Sequence, residues 1–372
     1  MDKRISPKTA TWLFGLIFWP SVGLSQNSVA TYHYNNARTG QSIQESILTP
    51  ANVRGNQFRK LFSQPVDDSV YAQPLYVPNL PIPGKGTRNV VFAATVNNSV
   101  YAFEADTFGS SLWHRNFNGV GRPTKNTEVG LACGAYRDFA ENIGIVGTPV
   151  IDTSNGTMYF VTRTVESAAT VQRLYALDIT TGDNRANSPR IIQATVAGAG
   201  SGSSGGAIAF NPETQNQRPG LLLSNGNVYI AWASFCDTGP YHGWIMAYDA
   251  KSLAQVSVFN ATPNGEGAGI WMLGVGLAAD AKGNLFVATG NGTFDTTFTA
   301  QGFPANRNFG DSILKLSPGQ QRQTVLMDCS ASPNSANLNP SIVDDMSRSA
   351  ERVSARVVYV TLGPSDIYPR LS

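Results

Sequence analysis

The sequence predicts an all-β fold built from a repeated module of four strands. Three observations support this: a hairpin pattern recurs along the chain, charged residues are few, and no stretch after residue 26 keeps a helical period. Charged residues make up 14% of the 372 residues, where about 25% is usual for a soluble domain. The 36 glycines, 21 prolines and 10% aromatics suit turns and packed strands. This composition excludes a coiled coil or a disordered chain.

The first 25 residues differ from the rest and predict a secretory signal peptide. Lys3 and Arg4 precede an uncharged apolar stretch, Trp12–Leu24, and small residues lie before an expected cleavage near Ser25–Gln26. The alternative is an uncleaved membrane anchor, but an apolar core of 13 residues is short of the roughly 20 that span a bilayer. We therefore expect an exported protein, periplasmic or secreted, with no membrane span in the mature chain. The net charge of +2 gives no basic face for nucleic acid.

Residues 26–317 contain four copies of a two-part pattern. Each copy has a pair of apolar strands around a turn, followed by an aromatic-apolar strand that ends in a turn. Asn155-Gly156 and Asn225-Gly226 separate two of the strand pairs, which is a strong hairpin signal. A hairpin repeat of about 70 residues predicts the four-stranded blade of a β-propeller, with about four blades present. The matching positions at the end of the third strands are Glu104, Asp178, Asp249 and Ser317.

The repeats resemble those of a known family. The segments VYAFEADTFGSSLW (Val100–Trp113) and LYALDITTG (Leu174–Gly182) resemble the repeat of quinoprotein alcohol dehydrogenases, the pyrroloquinoline-quinone (PQQ) repeat propellers. In that repeat, a Tyr-Ala-x-Asp strand is followed by a Thr-Gly turn and a Trp. The segment Tyr32–Gln41 is similar to the lead-in of exported members. The resemblance covers about residues 30–317 and implies a propeller, but many proteins with this repeat bind no quinone.

Residues 318–372 leave the repeat pattern and form an irregular C-terminal segment rich in Ser, Asn and Arg. Only Ala355–Gly363 in this segment has the pattern of a strand. Since the resemblance implies a ring of eight blades, we hypothesise a truncated member that forms part of a larger ring. The final residues would then be foreign to the repeat, as a shifted reading frame would make them. The alternative is a capping segment in which Ala355–Gly363 completes the ring.

The resemblance also implies a cofactor site with PQQ in the central channel and a calcium ion against the quinone. In this sequence Trp271 falls at the position of the Trp beneath the quinone, and Asn291 falls at that of an amide calcium ligand. The family's calcium-binding Glu is replaced by Thr238, and the neighbouring Asp237 is the candidate substitute. The plainer interpretation is that Trp271 is a core aromatic and Asn291 a turn residue. Trp271, Asn291 and Asp237 are thus candidate cofactor residues, the last two also candidate metal ligands.

The catalytic set that the resemblance implies is incomplete. The family's general-base Asp lies in the blade after the Asn ligand, where this chain leaves the pattern, and Asp344-Asp345 does not resemble that motif. His242 is a candidate base, although a lone loop histidine is more often a hydrogen-bonded structural residue. We therefore expect an exported quinoprotein-like propeller that acts as a binding or scaffold module. The alternative is a PQQ- and calcium-dependent alcohol or sugar dehydrogenase.

The three cysteines are compatible with one disulfide in an exported protein. We predict a Cys133–Cys236 bridge that leaves Cys329 over, and three unpaired thiols are the alternative. The chain has no CxxC and three histidines, which excludes zinc sites of the finger or HExxH type. The Gly- and Ser-rich segment Gly198–Ala207 predicts a mobile loop between blades.

Overall fold

The computed structural model describes residues 27–43, 45, 48–53, 59–129, 136–272, 275–300, 303–318 and 325–330. Within them, the regular structure consists of 21 strands and one 3-10 turn, Asn126–Glu128. The all-β class predicted from the sequence is confirmed. In this described part, no helix is long and apolar enough to cross a membrane. The predicted signal peptide, residues 1–25, lies outside the described residues.

Four antiparallel sheets follow one another along the chain, and each contains four strands that pair in sequence order. Strands β5, β6 and β13 add to the second and third sheets, and β11 and β12 form a separate hairpin. The first sheet comprises β1 (Leu75–Ile82), β2 (Gly86–Ala94), β3 (Ser99–Glu104) and β4 (Trp113–Asn116). The second comprises β7 (Val150–Asp152), β8 (Thr157–Glu166), β9 (Ala169–Asp178) and β10 (Arg190–Ile191). Strand β5 (Arg122–Lys125) also pairs with β8, and β6 (Asn142–Ile143) pairs with β5. The third comprises β14 (Leu222–Ser224), β15 (Asn227–Ser234), β16 (Trp244–Asp249) and β17 (Gln255–Asn260), preceded by β11 (Thr195–Ala197), β12 (Ala207–Ala209) and β13 (Gln215–Asn216). The fourth comprises β18 (Ala278–Ala279), β19 (Leu285–Ala288), β20 (Ile313–Pro318) and β21 (Val325–Ser330).

The turn chemistry explains where the strands begin and end. Asn225 and Gly226 both have positive φ, 49° and 73°, and join β14 to β15 as the Asn-Gly signal predicts. Asp249, at the end of β16, accepts backbone hydrogen bonds from Lys251 and Ser252 at 3.1 and 2.8 Å. Such a carboxylate satisfies the backbone N–H groups of the turn that follows the strand.

Successive sheets pack face to face. Side chains of a strand alternate between the two faces of its sheet, so one strand can contribute to two cores. Phe160 of β8 packs in the core shared with the first sheet, whereas Tyr159 packs in the core shared with the third. In the third sheet, Tyr229 of β15 packs against the fourth sheet and Ile230 against the second. The two middle sheets are therefore buried on both faces.

One short segment contacts the first strand of all four sheets. Val29 exchanges backbone hydrogen bonds with Tyr76 of β1 at 2.8 and 2.9 Å. The carbonyl of Ala30 accepts a bond from Ile151 of β7 at 2.7 Å. Further along, Asn36 donates to Leu223 of β14 at 2.8 Å and accepts from Ala279 of β18, also at 2.8 Å. We call Val29–Arg38 the central strap.

The central strap shows how the sheets are arranged. A segment of this length spans at most about 35 Å when fully extended, so the four first strands are gathered around one line. Sheets that pack successively face to face and meet along their first strands are blades around a shared axis. The predicted propeller architecture is therefore present in the described residues. The number of blades in a complete ring stays a prediction.

The fourth sheet extends past the end of the predicted repeat. Strand β21 pairs with β20 from Ile313↔Ser330 to Pro318↔Val325, within the segment 318–372 where the sequence predicts only the strand Ala355–Gly363. That predicted strand lies outside the described residues. The truncation hypothesis and its capping alternative both remain predictions.

Candidate functional site

The structure brings together the three residues that the sequence singles out. Asn291 donates its Nδ2 to the Oδ1 of Asp237 at 3.3 Å, across 54 residues of chain. Tyr241 donates its hydroxyl to the same carboxylate oxygen. The ring of Tyr241 meets that of Trp271 edge to face, with centroids 6.3 Å apart and planes at 73°. We call Asp237, Tyr241, Trp271 and Asn291 the Asp237 cluster.

The cluster lies where loops of the third and fourth sheets meet. Asp237 and Tyr241 lie between β15 and β16, Trp271 precedes β18, and Asn291 follows β19. Backbone bridges join His242 to Gly267 and Gly267 to Gly292, so the three loops run side by side. At Gly292, a Cβ would lie 2.2 Å from the backbone nitrogen of Ala268. Only glycine permits this approach.

Trp271 is not an ordinary core aromatic. Its neighbours Ile270 and Met272 pack in the apolar core between the third and fourth sheets, while Trp271 itself is half-buried against polar groups. The guanidinium carbon of Arg218 lies 5.6 Å from the centre of the indole ring, within cation–π range. A Cβ on Gly290 would lie 2.3 Å from Cδ1 of the indole, so glycine at this position lets the ring seat against the backbone.

Asp237 is presented by an unusual turn. Cys236 and Asp237 have positive φ values of 50° and 53°, and the backbone N–H of Thr238 donates to the carbonyl of Phe235 at 3.0 Å. These are the features of a type I′ turn, which strongly favours Asn-Gly. Cysteine and aspartate at its two central positions therefore need support from their surroundings.

Cys236 is disulfide-bonded. The predicted partner, Cys133, lies outside the described residues, so the pairing stays a prediction. Val129 and Tyr136, on either side of the segment that contains Cys133, pack in one apolar cluster with Phe235 and Cys236. This proximity supports the predicted pairing.

The surroundings of Tyr241 keep its hydroxyl protonated. Burial raises the pKa of Tyr241, and the hydrogen bond and negative charge of Asp237 raise it further. Tyr241 therefore remains a hydrogen-bond donor at neutral pH. Asp237, Glu266 and Asn291 are exposed at the surface of the site.

The oxygen atoms at the site are mostly neutral. The described residues contain no group of three or more His, Cys, Asp or Glu side chains that could hold a metal ion. Beside Asp237, however, Thr238 has a buried Oγ1 that has no hydrogen-bond partner within the described part of the chain. A cation at Asp237 would therefore need amide, hydroxyl, ligand or water oxygens in its shell.

His242 has the structural role that its loop position favours. It is buried, with Nδ1 3.0 Å from Thr262 Oγ1 and Nε2 2.8 Å from the carbonyl oxygen of Ser201. Burial lowers its pKa, so the neutral imidazole is favoured. Its contact with Ser201 also anchors the Gly- and Ser-rich loop, and Ser201 N–H donates to Gly265 at 2.8 Å. The loop that the sequence predicts to be mobile therefore makes hydrogen bonds to the loop that precedes Trp271.

Asp311 is a candidate residue that the sequence reasoning missed. Its backbone N–H donates to the carbonyl of Gly290 at 2.9 Å, and its carboxylate accepts from the N–H of Gly292. It therefore lies against the loop that carries Asn291. Partial burial raises its pKa, and the bond from Gly292 opposes that change. Its place two residues before β20, inside the fourth repeat, is the sequence signal that marks it, whereas Asp344 and Asp345 lie beyond the repeat.

Comparisons with known proteins concern the fold. No family model and no curated protein matches the sequence. Among solved structures, it is similar to quinohemoprotein alcohol dehydrogenase ADHIIG from Pseudomonas putida HK5 (TM-score 0.49, 16% identity, 82% of this chain and 40% of that one). It is also similar to the quinohemoprotein alcohol dehydrogenase from Comamonas testosteroni, with a TM-score of 0.49 and 16% identity over 82% of this chain and 41% of that one. A europium-containing methanol dehydrogenase has a TM-score of 0.47 and 15% identity over 81% of this chain and 49% of that one. The chain spans less than half the length of these three proteins, two of which are named as quinohemoproteins.

Proposed function

We propose that this protein is an exported propeller that works as a binding module, with the Asp237 cluster as its ligand site. The proposed ligand is a planar carboxylated ring such as PQQ, together with a divalent cation such as Ca²⁺. One observation carries the proposal: Asp237, Trp271 and Asn291, which lie far apart in the sequence, converge at one place. Export is proposed from the basic start and apolar stretch at the N-terminus.

The cation half of the proposal rests on the oxygen atoms at the site. Ca²⁺ takes about six to eight oxygen ligands, among which carboxylate and amide oxygens are common. Asp237 supplies a carboxylate, and Asn291, which donates through its Nδ2, keeps its amide oxygen for a cation. The buried hydroxyl of Thr238, next to Asp237 in the chain, has no hydrogen-bond partner among the described residues and is the third candidate oxygen. Since these fall short of a full shell, we expect the ligand and water to complete it and cation binding to be weak without the ligand.

The ring half of the proposal rests on Trp271 and Arg218. A half-buried indole offers an aromatic surface for a planar ligand, and the guanidinium of Arg218, 5.6 Å from the ring centre, adds positive charge beside it. Bound PQQ would supply two-electron acceptor chemistry. The residues of this chain would orient the ring and neutralise its charge.

Asp311 favours a second candidate function, a PQQ- and calcium-dependent dehydrogenase. A general base needs a carboxylate within reach of the reacting group, and a raised pKa makes that carboxylate a better proton acceptor. Asp311 combines partial burial with a position against the Asn291 loop. In this function Asp311 would accept the hydroxyl proton of an alcohol. The same experiment separates the two functions.

The test is a titration of the purified protein with PQQ and Ca²⁺, followed by Trp fluorescence and by dye-linked oxidation of alcohols. We expect quenching that disappears in Trp271→Phe and an apparent calcium Kd at least tenfold higher in Asp237→Asn. Asp183→Asn is the matched control, because that carboxylate is exposed and pairs with Arg115 of β4, in the first sheet, whereas the Asp237 cluster lies on loops of the third and fourth sheets. Absence of quenching in the wild type would overturn the binding site. Oxidation that is lost in Asp311→Asn, with quenching retained, would establish the dehydrogenase; quenching without oxidation would leave the binding module.

A further inference from the structure

We propose that the disulfide at Cys236 positions the candidate site, because it holds the Phe235–Thr238 turn in the left-handed form that presents Asp237 to Tyr241 and Asn291. The inference rests on the proposed function in so far as Asp237 is taken as a ligand-binding group. It assigns Cys236 a role in positioning and gives the site a dependence on the redox state of its surroundings.

The turn does not form by preference of its own residues. Its two central residues have positive φ, 50° at Cys236 and 53° at Asp237. Aspartate enters this region more readily than most residues, but the cysteine side chain disfavours it. The same chain shows the preferred solution at Asn225-Gly226, where φ values of 49° and 73° join two strands. Residues held in a disfavoured region persist only where other contacts fix them, and such places are often functional.

The contacts that fix the turn lie mainly on one side. Phe235, at its start, is 1% exposed, packs edge to face on Tyr136 and lies under the guanidinium of Arg163 at 4.8 Å. Cys236 is held covalently by its disulfide. On the other side, the exposed Asp237 has the bond from Tyr241 and a 3.3 Å bond from Asn291. Hydrogen bonds of an exposed carboxylate compete with water, so the disulfide is the stronger restraint.

Because the turn lies at the edge of the apolar core, its effect on the site can be distinguished from an effect on the packing of the sheets. Three of the apolar clusters in the described part of the chain lie between successive sheets, and Cys236 lies at the edge of a fourth, smaller one, as a partly buried neighbour. Loss of the disulfide is therefore expected to release the turn and displace the Asp237 carboxylate while the sheets remain packed. The expected result is a selective loss of ligand affinity.

The experiment compares Cys236→Ala with Cys236→Asn in the full mature chain. Both remove the disulfide, but asparagine tolerates positive φ and alanine does not. Calcium affinity in the presence of PQQ is measured by Trp fluorescence, and the melting temperature is measured alongside. We expect the calcium Kd to rise at least tenfold in the alanine variant and less in the asparagine variant. The wild type reduced with a dithiol, which passes two electrons to the disulfide and leaves two thiols, should bind as weakly as the alanine variant.

A readout without ligand keeps the two proposals distinguishable. In protein labelled with 5-fluorotryptophan, the ¹⁹F resonance of Trp271 is identified by its loss in Trp271→Phe. We expect this resonance to move in Cys236→Ala and in Asp237→Asn, since both disturb Tyr241, which packs on the indole. If the wild type binds neither PQQ nor Ca²⁺ but the Trp271 resonance still moves in these two variants, the proposed ligand is refuted and the positioning role is supported.

Two outcomes overturn the positioning role. One is an alanine variant with wild-type calcium affinity and an unmoved Trp271 resonance. The other is a loss of affinity matched by unfolding in both Cys236 variants and in the reduced wild type, which would make the disulfide a general stabiliser. Cys133→Ala and Cys329→Ala identify the partner, because the variant that removes it reproduces the effect of Cys236→Ala.

Discussion

Replacement of Arg38 by methionine tests whether the central strap locks the four sheets together. The buried guanidinium of Arg38 donates to Thr31 Oγ1 at 2.5 Å and to the carbonyl of Tyr32 at 2.8 Å, both within the strap. It also donates to the carbonyls of Leu221 and Leu277, each at 2.9 Å. These two carbonyls lie immediately before β14 and β18, so one side chain joins the strap to the third and fourth sheets.

The expected loss of stability follows from the backbone carbonyls that no longer have a hydrogen-bond donor after the substitution. Three backbone carbonyls lose a charged donor, and a buried carbonyl left without a partner costs about 1–1.5 kcal/mol at the low end of the usual range. The sum is about 3–4.5 kcal/mol. In the wild type, burial of the charge lowers the pKa of Arg38 to about 10. Methionine keeps the apolar stem and removes the energetic cost of burying that charge. We therefore expect a net loss of about 3 kcal/mol.

Urea unfolding at 25 °C, followed by circular dichroism and by Trp fluorescence, measures this loss. Arg115→Met is the matched control, because Arg115 pairs with Asp183 at 2.7 Å on the surface, where the side chains are 48% and 64% exposed. Such exposed pairs contribute about 0–1 kcal/mol. If Arg38→Met and Arg115→Met differ by less than about 1 kcal/mol, the strap does not lock the sheets.

Two further predictions use the same measurements. Because burial lowers the pKa of His242 from 6.5, the folded protein binds fewer protons than the unfolded chain, and stability should fall as the pH drops below about 6.5. His242→Gln should reduce the fall in melting temperature between pH 7.5 and 5.5. If the melting temperature of this variant falls as much as that of the wild type, other groups cause the pH dependence. At Gly276 (φ +72°), a Cβ would lie 2.5 Å from the carbonyl oxygen of Gly220, whereas Gly205 (φ +59°) has open space around it. We expect Gly276→Ala to cost about 3 kcal/mol and Gly205→Ala about 1 kcal/mol, and equal losses would contradict the close approach.

Local patterns were sufficient to predict the central hairpins of the repeats. The Asn225-Gly226 turn and the apolar run after it predict β14 and β15, and the structure confirms both. The run in β15 is buried on both faces because the sheet lies between two others. Strand β21 does not follow from the sequence because the residues before it are Gln-rich, those after it are rich in Ser and Asn, and no Asn-Gly turn lies beside it.

Contacts between distant parts of the chain could not be predicted in this way. Arg38 bonds to Leu221 and Leu277 across 183 and 239 residues, and no local pattern records such a pairing. The candidate site shows the same limit. Resemblance pointed to Trp271 and Asn291, but the place of Asp311 depends on a backbone bond to Gly290 that only the folded loops create.

The geometry of Arg38 also links the stability of the fold to the candidate site. Asp237 comes from a loop of the third sheet and Asn291 from a loop of the fourth, so their contact exists only while these two sheets keep their relative position. Arg38 bonds to one carbonyl from each of the two sheets, and the backbone bridges through Gly267 join the same sheets near the site. Arg38→Met should therefore weaken calcium binding in the folded protein as well as lower stability. Unchanged affinity in that variant would mean that the Gly267 bridges alone hold the two halves of the site together.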